Sequence, residues 1–375
     1  MKSIHINADG DNAWVGGLYY KRNILFSLLQ NKDICNKYNF VVTVKRENLD
    51  FYKCFSDAVI FDIIDEYGIK YKIKQIKNCI KYRIRFSYPS KKNKVREFLK
   101  VDCIRWIPDF QHNVFPEFFS EEELNKRTNE FIEIKESTNP LVLSSLSAKN
   151  DFINYYGEKS EIYVVPFVSY IEPEIRKISR KNEQDIMYKY QIESGNYACI
   201  SNQFWKHKNH IVVFKAIKQL TSIITNGFKF VFTGYPEDQR DLEYYKDLMK
   251  YIDDPDVKKH CSIIGFIDRV DQLAIMKNSR FVIQPSLFEG WGTVVEDAKV
   301  LDKLILLSNI PVHTEQMNGN CSLFEPYNPE DLAEKIVDML KTNHISDVEK
   351  GIKDMYARAE QYSQGFMKLL NDFEN

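Results

Sequence analysis

The sequence predicts an α/β protein of two Rossmann-like, doubly wound parallel-sheet domains facing each other across a cleft. Three observations carry this. Short apolar runs alternate with helix-period segments along most of the chain, and that alternation marks parallel sheets, whose neighbouring strands need a crossover helix. With 375 residues the chain can bury two separate cores. A polar stretch interrupted by proline, residues 169–190 (SYIEPEIRKISRKNEQDIMYKY), divides the two series as a domain boundary would.

In the first half the expected strands are SIHINA, NFVVTV, AVIFDII, CIRWIP, PLVLSS and IYVVP, with a helical pattern opening after Gly17. The second half is cleaner. There YACIS precedes a helix over 209–224, KFVFTG one over 237–252 and CSIIGF one over 270–278. RFVIQPS then leads to 293–301, KLILLS to 312–317 and SLFE to 329–342. The expected domains are therefore 1–170 and 171–350, with a last helix within 351–375 packing back onto the first.

Composition excludes several classes. A net charge of −1 with 44% hydrophobic and 28% charged residues fits a soluble globular protein and not a nucleic-acid binder. Seven scattered cysteines without a CxxC pair suggest neither a disulfide framework nor a zinc site, and fit a reducing cytoplasm. The opening MKSIHINADGD does not read as a secretory signal, and no apolar run is long enough to span a membrane. The expected location is cytoplasmic, with peripheral attachment to the inner face of the plasma membrane left open.

That option comes from residues 68–86, GIKYKIKQIKNCIKYRIRF, where Ile69, Ile73, Ile76, Ile80 and Ile84 recur at helical spacing among lysines and arginines. From Lys70 to Arg105 there are thirteen basic residues against two acids, Glu97 and Asp102. Two readings stand: a core-packed helix with a solvated basic face, or a helix that docks on an anionic membrane.

The chemistry concentrates in SLFEGWG and the helical TVVEDAKVL that follows. Thr293 is expected at the N-cap, with Glu296 at capping-box spacing. Gly290 and Gly292 let backbone approach a ligand, and amides at a helix N-terminus attract phosphate, so Gly292 and Thr293 are candidates for a diphosphate. Glu289 precedes the helix and can face the cleft, while Asp297 on its first turn can accept two ribose hydroxyls. Taken alone, such a loop reads more readily as a plain tight turn than as a binding site.

QPSLFEGWGTVVEDAK followed by LLSNIPVHTEQ resembles the donor-binding signature of retaining GT-B glycosyltransferases of the family four type, the group 1 glycosyl transferases. The likeness continues through ISNQFWKHKNHIVVFKAI, FTGYP and IIGFIDRVDQLAIMKNS, and reaches the first half in WVGGLYY, WIPDFQHNVFPEFFS and LSSLSAKNDF. It implies the GT-B fold, an acceptor-binding first domain and a second domain that binds a nucleotide-diphosphate sugar, UDP- or GDP-linked, without a metal or other cofactor. Glu289 matches the first acid of the signature, and Asp297 stands where the second is a glutamate. Lys208 matches the lysine that grips the diphosphate, Gln203 replaces the expected arginine, and Lys206 lies near enough to compensate. Gly16 and Gly17 match the glycines that approach phosphate or acceptor, His112 the histidine set against the donor sugar, and Phe266, in GFIDR, lies where the base is expected.

Each of these residues has a plainer reading. Lys206 and Lys208 are then solvated loop charges, the glycine pair a turn, His112 a satisfied core histidine and Asp109 a turn cap. Asp9-Gly-Asp11 and Asp254-Pro-Asp256 are explained by turn chemistry rather than by a metal. The implied function is retaining sugar transfer to a hydroxyl of a glycan or lipid-linked glycan, in bacterial surface polysaccharide or lipopolysaccharide assembly. The alternative is a transferase-like module that binds a nucleotide sugar without turnover.

Overall fold

The computed structural model describes residues 1–9, 15–65, 68–90, 94–224, 227–235, 242–317 and 319–374. The chain divides into two compact units. The first holds Met1–Asn113, Glu121–Tyr170 and Met355–Asn375; the second holds Val114–Ser120 and Ile171–Asp354. No helix among the described residues is long and apolar enough to cross a membrane.

The first unit is built on a parallel sheet of β1 (Lys2–Asn7), β2 (Tyr38–Lys45), β3 (Ile60–Ile64), β4 (Ile84–Tyr88) and β5 (Asp102–Cys103), in the order β3-β2-β1-β4-β5. A separate parallel sheet joins β6 (Arg105–Trp106), β7 (Leu141–Leu143) and β8 (Ile162–Val164). Central β1 is buried along Ile4, His5 and Ile6, as expected for a strand covered on both faces.

Strand β4 corrects the expected basic helix over 68–86. The helix runs only Ile69–Lys81, and Arg83 turns the chain with φ 51° in the left-handed region. Ile84, Phe86 and Tyr88 then alternate into the core beside β1, with Ile4 opposite Phe86 and Ile6 opposite Tyr88. Ile84 thus belongs to a strand and not to the isoleucine stripe.

A second correction concerns the helix Val15–Leu29, which begins before the glycine pair. Gly16 and Gly17 lie in its first turn rather than in a preceding loop; Trp14 of the same segment and Asp11 lie outside the described residues. The C-terminal helix, Val348–Glu374, contributes buried Tyr362, Phe366, Leu369 and Leu370 to the first unit. Lys2 at the start of β1 donates to its Glu374 (3.2 Å).

The second unit carries β9 (Tyr197–Ser201), β10 (Lys229–Thr233), β11 (Cys261–Gly265), β12 (Phe281–Gln284), β13 (Ile305–Ser308) and β14 (Cys321–Phe324). All pairs are parallel, in the order β11-β10-β9-β12-β13-β14. Every strand and helix expected here forms, within a few residues at the ends, although 236–241 lie outside the described residues. The core stacks Phe214 on Phe232 (4.8 Å) and packs Ile200, Val213, Ile283 and Leu306 around them.

Strand order reverses between β9 and β12. That reversal is the topological switch point at which such sheets bind ligands. Gly234, at φ 123°, lets the loop after β10 press against the loop after β9, because a Cβ there would lie 2.2 Å from the Asn202 carbonyl oxygen.

Candidate active site

Lys208 closes the short 3₁₀ turn Lys206–Lys208 beyond β9, and Glu289 lies in the loop beyond β12. The two loops are tied by backbone, since the Leu287 N–H donates to the His207 carbonyl (2.7 Å). Asn209, at φ 54°, adds side-chain bonds to the carbonyls of Pro285 (3.2 Å) and Pro326 (2.7 Å). Lys208 and Glu289 thus meet on a braced frame.

Glu289 is fixed through one oxygen. Its Oε1 accepts from Lys208 Nζ (2.6 Å), Ser286 Oγ (2.7 Å) and Gln284 Nε2 (2.9 Å). Gln284 is oriented in turn by Asn202, whose amide donates to Gln284 Oε1 (2.9 Å). Among the described residues Oε2 carries no hydrogen bond, so it remains available to a ligand. Burial would raise this carboxyl, but the Lys208 ammonium, with the hydrogen bond from Ser286, holds it below the usual carboxylate range.

His313 lies behind this group, in the helix Pro311–Gln316. Its Nδ1 is 3.0 Å from the Ser308 carbonyl, which can only accept, so Nδ1 carries the proton. Burial, opposed by the neighbouring Glu289 charge, brings the His313 pKa down to about 4. The imidazole is neutral at pH 7. Ser308 Oγ donates to the Ser286 carbonyl, which links His313 to the residue that holds Glu289.

The helix Thr293–Val300 departs from the expected cap. Gly292 is the N-cap and Thr293 the first helical residue, so Glu296 sits one place too late for a capping box. Glu296 is instead buried, accepting from Lys299 (2.8 Å) and Gln316 (3.1 Å). Gln316 also takes the Gly292 N–H (2.9 Å) and donates to the Gly292 carbonyl (3.2 Å). The amide of Gly292 is therefore engaged, whereas Thr293, as the first helical residue, has an N–H without a partner inside the helix. A Cβ on Gly292 would lie 3.0 Å from Gln316 Oε1, which accounts for the glycine by packing.

Asp297 likewise departs from the expectation of a ribose-facing acid. It is fully buried, and both of its oxygens accept from Arg269, Oδ1 at 2.6 Å and Oδ2 at 2.7 Å. Arg269 also donates to Gln272 Oε1 (3.0 Å). The carboxylate is one methylene shorter than the family's glutamate, and the guanidinium occupies its reach.

Gln203, which stands where the resemblance expects an arginine, serves a loop contact. Its Oε1 accepts from the Tyr235 N–H (2.8 Å), binding the loop after β9 to the loop after β10. Tyr235 in turn stacks flat on Phe266, with centroids 4.5 Å apart and planes at 5°, forming an exposed aromatic pair beyond β10 and β11. Lys206 places its ammonium 5.1 Å from the Phe118 ring centroid, a cation–π contact inside the second unit.

In the first unit, His112 is buried, with Nε2 3.1 Å from the Tyr156 hydroxyl and its ring edge-on to Phe131. Burial and the Arg127 charge lower its pKa to about 4. Asp109 accepts from the Gln111 N–H (3.1 Å), the turn-capping role expected of it. Asp254 similarly accepts from the Asp256 N–H (3.0 Å).

The structure thus gathers Glu289, Lys208, Gly292, Thr293 and Asp297 at one end of one sheet, with Gln203, Lys206 and Phe266 on adjoining loops. Arg269, Gln284, Ser286, His313 and Gln316 complete the site but had no assigned role in the sequence. Each lies within or beside the motif segments, yet single-sequence spacing does not say which side chain bonds which.

Two Rossmann-like α/β units, one carrying a buried Lys–Glu pair at its switch point, define a protein of the GT-B class. Residues 182–363 match the family model described as "Glycosyl transferases group 1", so this part of the chain is similar to that family of glycosyltransferases. No curated protein sequence matches the chain. Among solved structures, Anabaena HepE in complex with UDP matches at TM-score 0.65 and 14% identity, over 99% of this chain and 100% of its own. Sucrose-phosphate synthase from Thermosynechococcus elongatus matches at TM-score 0.66 and 12% identity, over 99% of this chain and 100% of its own. WaaG, a glycosyltransferase involved in lipopolysaccharide biosynthesis, matches at 0.59 and 11%, over 97% of this chain and 95% of its own. At such identities the likeness is one of fold.

Proposed function

We propose that the protein is a retaining, metal-independent hexosyltransferase that moves a sugar from a nucleoside-diphosphate sugar to a hydroxyl of a glycan or lipid-linked glycan. The observation that carries this reading is Glu289, anchored by three donors on Oε1 with Oε2 left for a ligand, beside the Lys208 ammonium at the switch point. A leaving diphosphate needs positive charge and oriented dipoles, and Lys208 with the amide of Thr293 supplies both. Oε2 of Glu289 then positions a sugar hydroxyl. For retention, the acceptor attacks from the leaving-group face and the departing phosphate oxygen takes its proton.

The exposed Tyr235–Phe266 stack offers the base an apolar face, and Asp297 supports the ribose end through Arg269 rather than by direct contact. The candidates of the first unit, Gly16, Gly17 and His112, are assigned to the acceptor and the transferred sugar. HepE was crystallised with UDP-glucose, which makes a uridine-linked donor the first to test and a guanosine-linked one the second. The role of WaaG in lipopolysaccharide biosynthesis supports placing this chain in surface-glycan assembly.

The experiment is release of nucleoside diphosphate from a panel of nucleotide sugars, with and without glycan acceptors. Turnover of one donor, with the anomeric configuration kept in the product, is the expected result. Tight donor binding with no release under any condition would favour the binding-module alternative.

A further inference from the structure

We infer that the outward face of the basic helix Ile69–Lys81 is a docking surface for a lipid bilayer bearing anionic headgroups. The inference rests on the proposed use of a membrane-borne acceptor but is tested without it.

The helix, IKYKIKQIKNCIK, contains no acid. Among the described residues, the seam that buries it against the first unit lies on one side. Cys79 is buried against Ile84 and Val101, Tyr71 and Gln75 are half-buried on the same side, and Gln75 donates to the Tyr71 hydroxyl (2.7 Å). At about 100° per residue, Ile69, Ile73, Ile76 and Ile80 fall within roughly 60° of arc on a different side, turned well away from that seam. Three of the four are exposed, Ile69 at 78%, Ile73 at 47% and Ile80 at 65%, while Ile76 is half-buried. The isoleucine periodicity, which one reading of the sequence assigns to the core, faces solvent. The neighbouring short helix Lys94–Phe98 adds Phe98, 85% exposed.

Lys70, Lys74, Lys77 and Lys81 form a row about 100° round the helix from the isoleucines. An apolar stripe bordered by a lysine row is what a helix lying in the plane of a bilayer requires: isoleucines enter the headgroup boundary while ammonium groups meet lipid phosphates. Thirteen residues rise about 20 Å, too short to span a bilayer and suited to lying along it. Charge selects this occupant over a second copy of the chain, because a symmetric contact would set the lysine rows of two acid-free helices against each other. Lys74 differs from the rest of its row. It pairs with buried Asp62 (2.7 Å) and donates to the Ile63 carbonyl (2.8 Å), so it holds the helix to β3.

The test is co-sedimentation of the full chain with vesicles of phosphatidylcholine alone and of equal parts phosphatidylcholine and phosphatidylglycerol, at low and high salt. Binding is expected only to the anionic vesicles, weakening as salt rises. The triple variant Lys70→Gln, Lys77→Gln, Lys81→Gln, which spares Lys74, should lose on the order of a hundredfold in partitioning, at roughly fivefold per lysine. The pair Ile73→Ser, Ile80→Ser removes exposed apolar groups, so it should also weaken vesicle binding while leaving the melting temperature unchanged. No binding to anionic vesicles, or binding unaltered in both variants, overturns the inference. Lipid-free self-association that is lost in the serine variant would assign the face to a second copy and also overturn it. Since the assay contains neither donor nor acceptor, failure of the proposed transfer reaction leaves its outcome intact.

Discussion

Lys208 Nζ and Glu289 Oε1 lie 2.6 Å apart, and the pair joins the loops that leave the two strands at which the second sheet reverses its order. Both side chains are largely buried, so each charge depends on the other for compensation. The carboxylate is kept ionised by the cation that the proposed reaction uses on the diphosphate.

Glu289→Gln keeps an oxygen able to accept from Lys208 and Ser286 while removing the charge. The variant should fold, bind nucleotide within severalfold of the parent, and lose on the order of a hundredfold or more in transfer rate. Steady-state kinetics with the active donor, beside nucleotide titration, checks this. Near-normal turnover would take Glu289 out of the site.

Asp297→Ala leaves the Arg269 guanidinium buried without its bidentate partner, a loss of about 3–5 kcal/mol for a broken buried pair. The expected effect is thus on stability first and nucleotide affinity second. Replacing Arg269 and Asp297 together by leucine should cost less than Asp297→Ala alone, as urea unfolding would read. If instead the single variant keeps its stability and loses nucleotide binding, Asp297 touches the ribose directly.

Gln203→Arg introduces the cation the family carries but removes the acceptor for the Tyr235 N–H. Loss of that bond should lower stability by about 1 kcal/mol. Diphosphate affinity should rise only if the guanidinium reaches the site, and calorimetric titration of UDP and GDP into both proteins separates the two effects.

Acid should destabilise the second unit for two reasons of the same sign. The lowered carboxyl of Glu289 contributes stability above its unfolded pKa that is lost as pH falls through the folded value. His210 is fully buried, stacked on Phe204 at 4.3 Å, and burial with the Lys208 charge lowers its pKa to about 3. From pH ~6.5 down to that value only the unfolded chain takes the proton, so stability falls by about 1.4 kcal/mol per pH unit per such histidine. His210→Phe should flatten the dependence by one proton between pH 6.5 and 4.5 in urea titrations. An unchanged slope would mean that His210 is charged in the folded state.

The second sheet was legible because its strands are apolar runs in regular alternation with helices, a pattern that tertiary contacts reinforce. In the first unit β4 was missed, since its alternating RIRFSY continues a lysine- and isoleucine-rich helix at similar spacing and only the left-handed turn at Arg83 separates them. Glu289 and Lys208 were legible as types at positions. Their pairing, and the binding of Asp297 by Arg269, were not, because such pairs join distant loops through register that one sequence does not display. The Thr293 cap was misplaced by one residue, enough to turn Glu296 from a capping side chain into a buried partner of Lys299 and Gln316.

The most direct measurement is calorimetric titration of nucleoside-diphosphate sugars, UDP-glucose first, into the protein and into Lys208→Met, with urea unfolding run on both. The account expects saturable binding of at least one such donor and a loss of at least about tenfold in the variant, the scale of one charged contact to the diphosphate. Absence of binding for every nucleotide sugar tried, or equal affinity in a folded Lys208→Met, would contradict a donor site at the ends of β9 and β12.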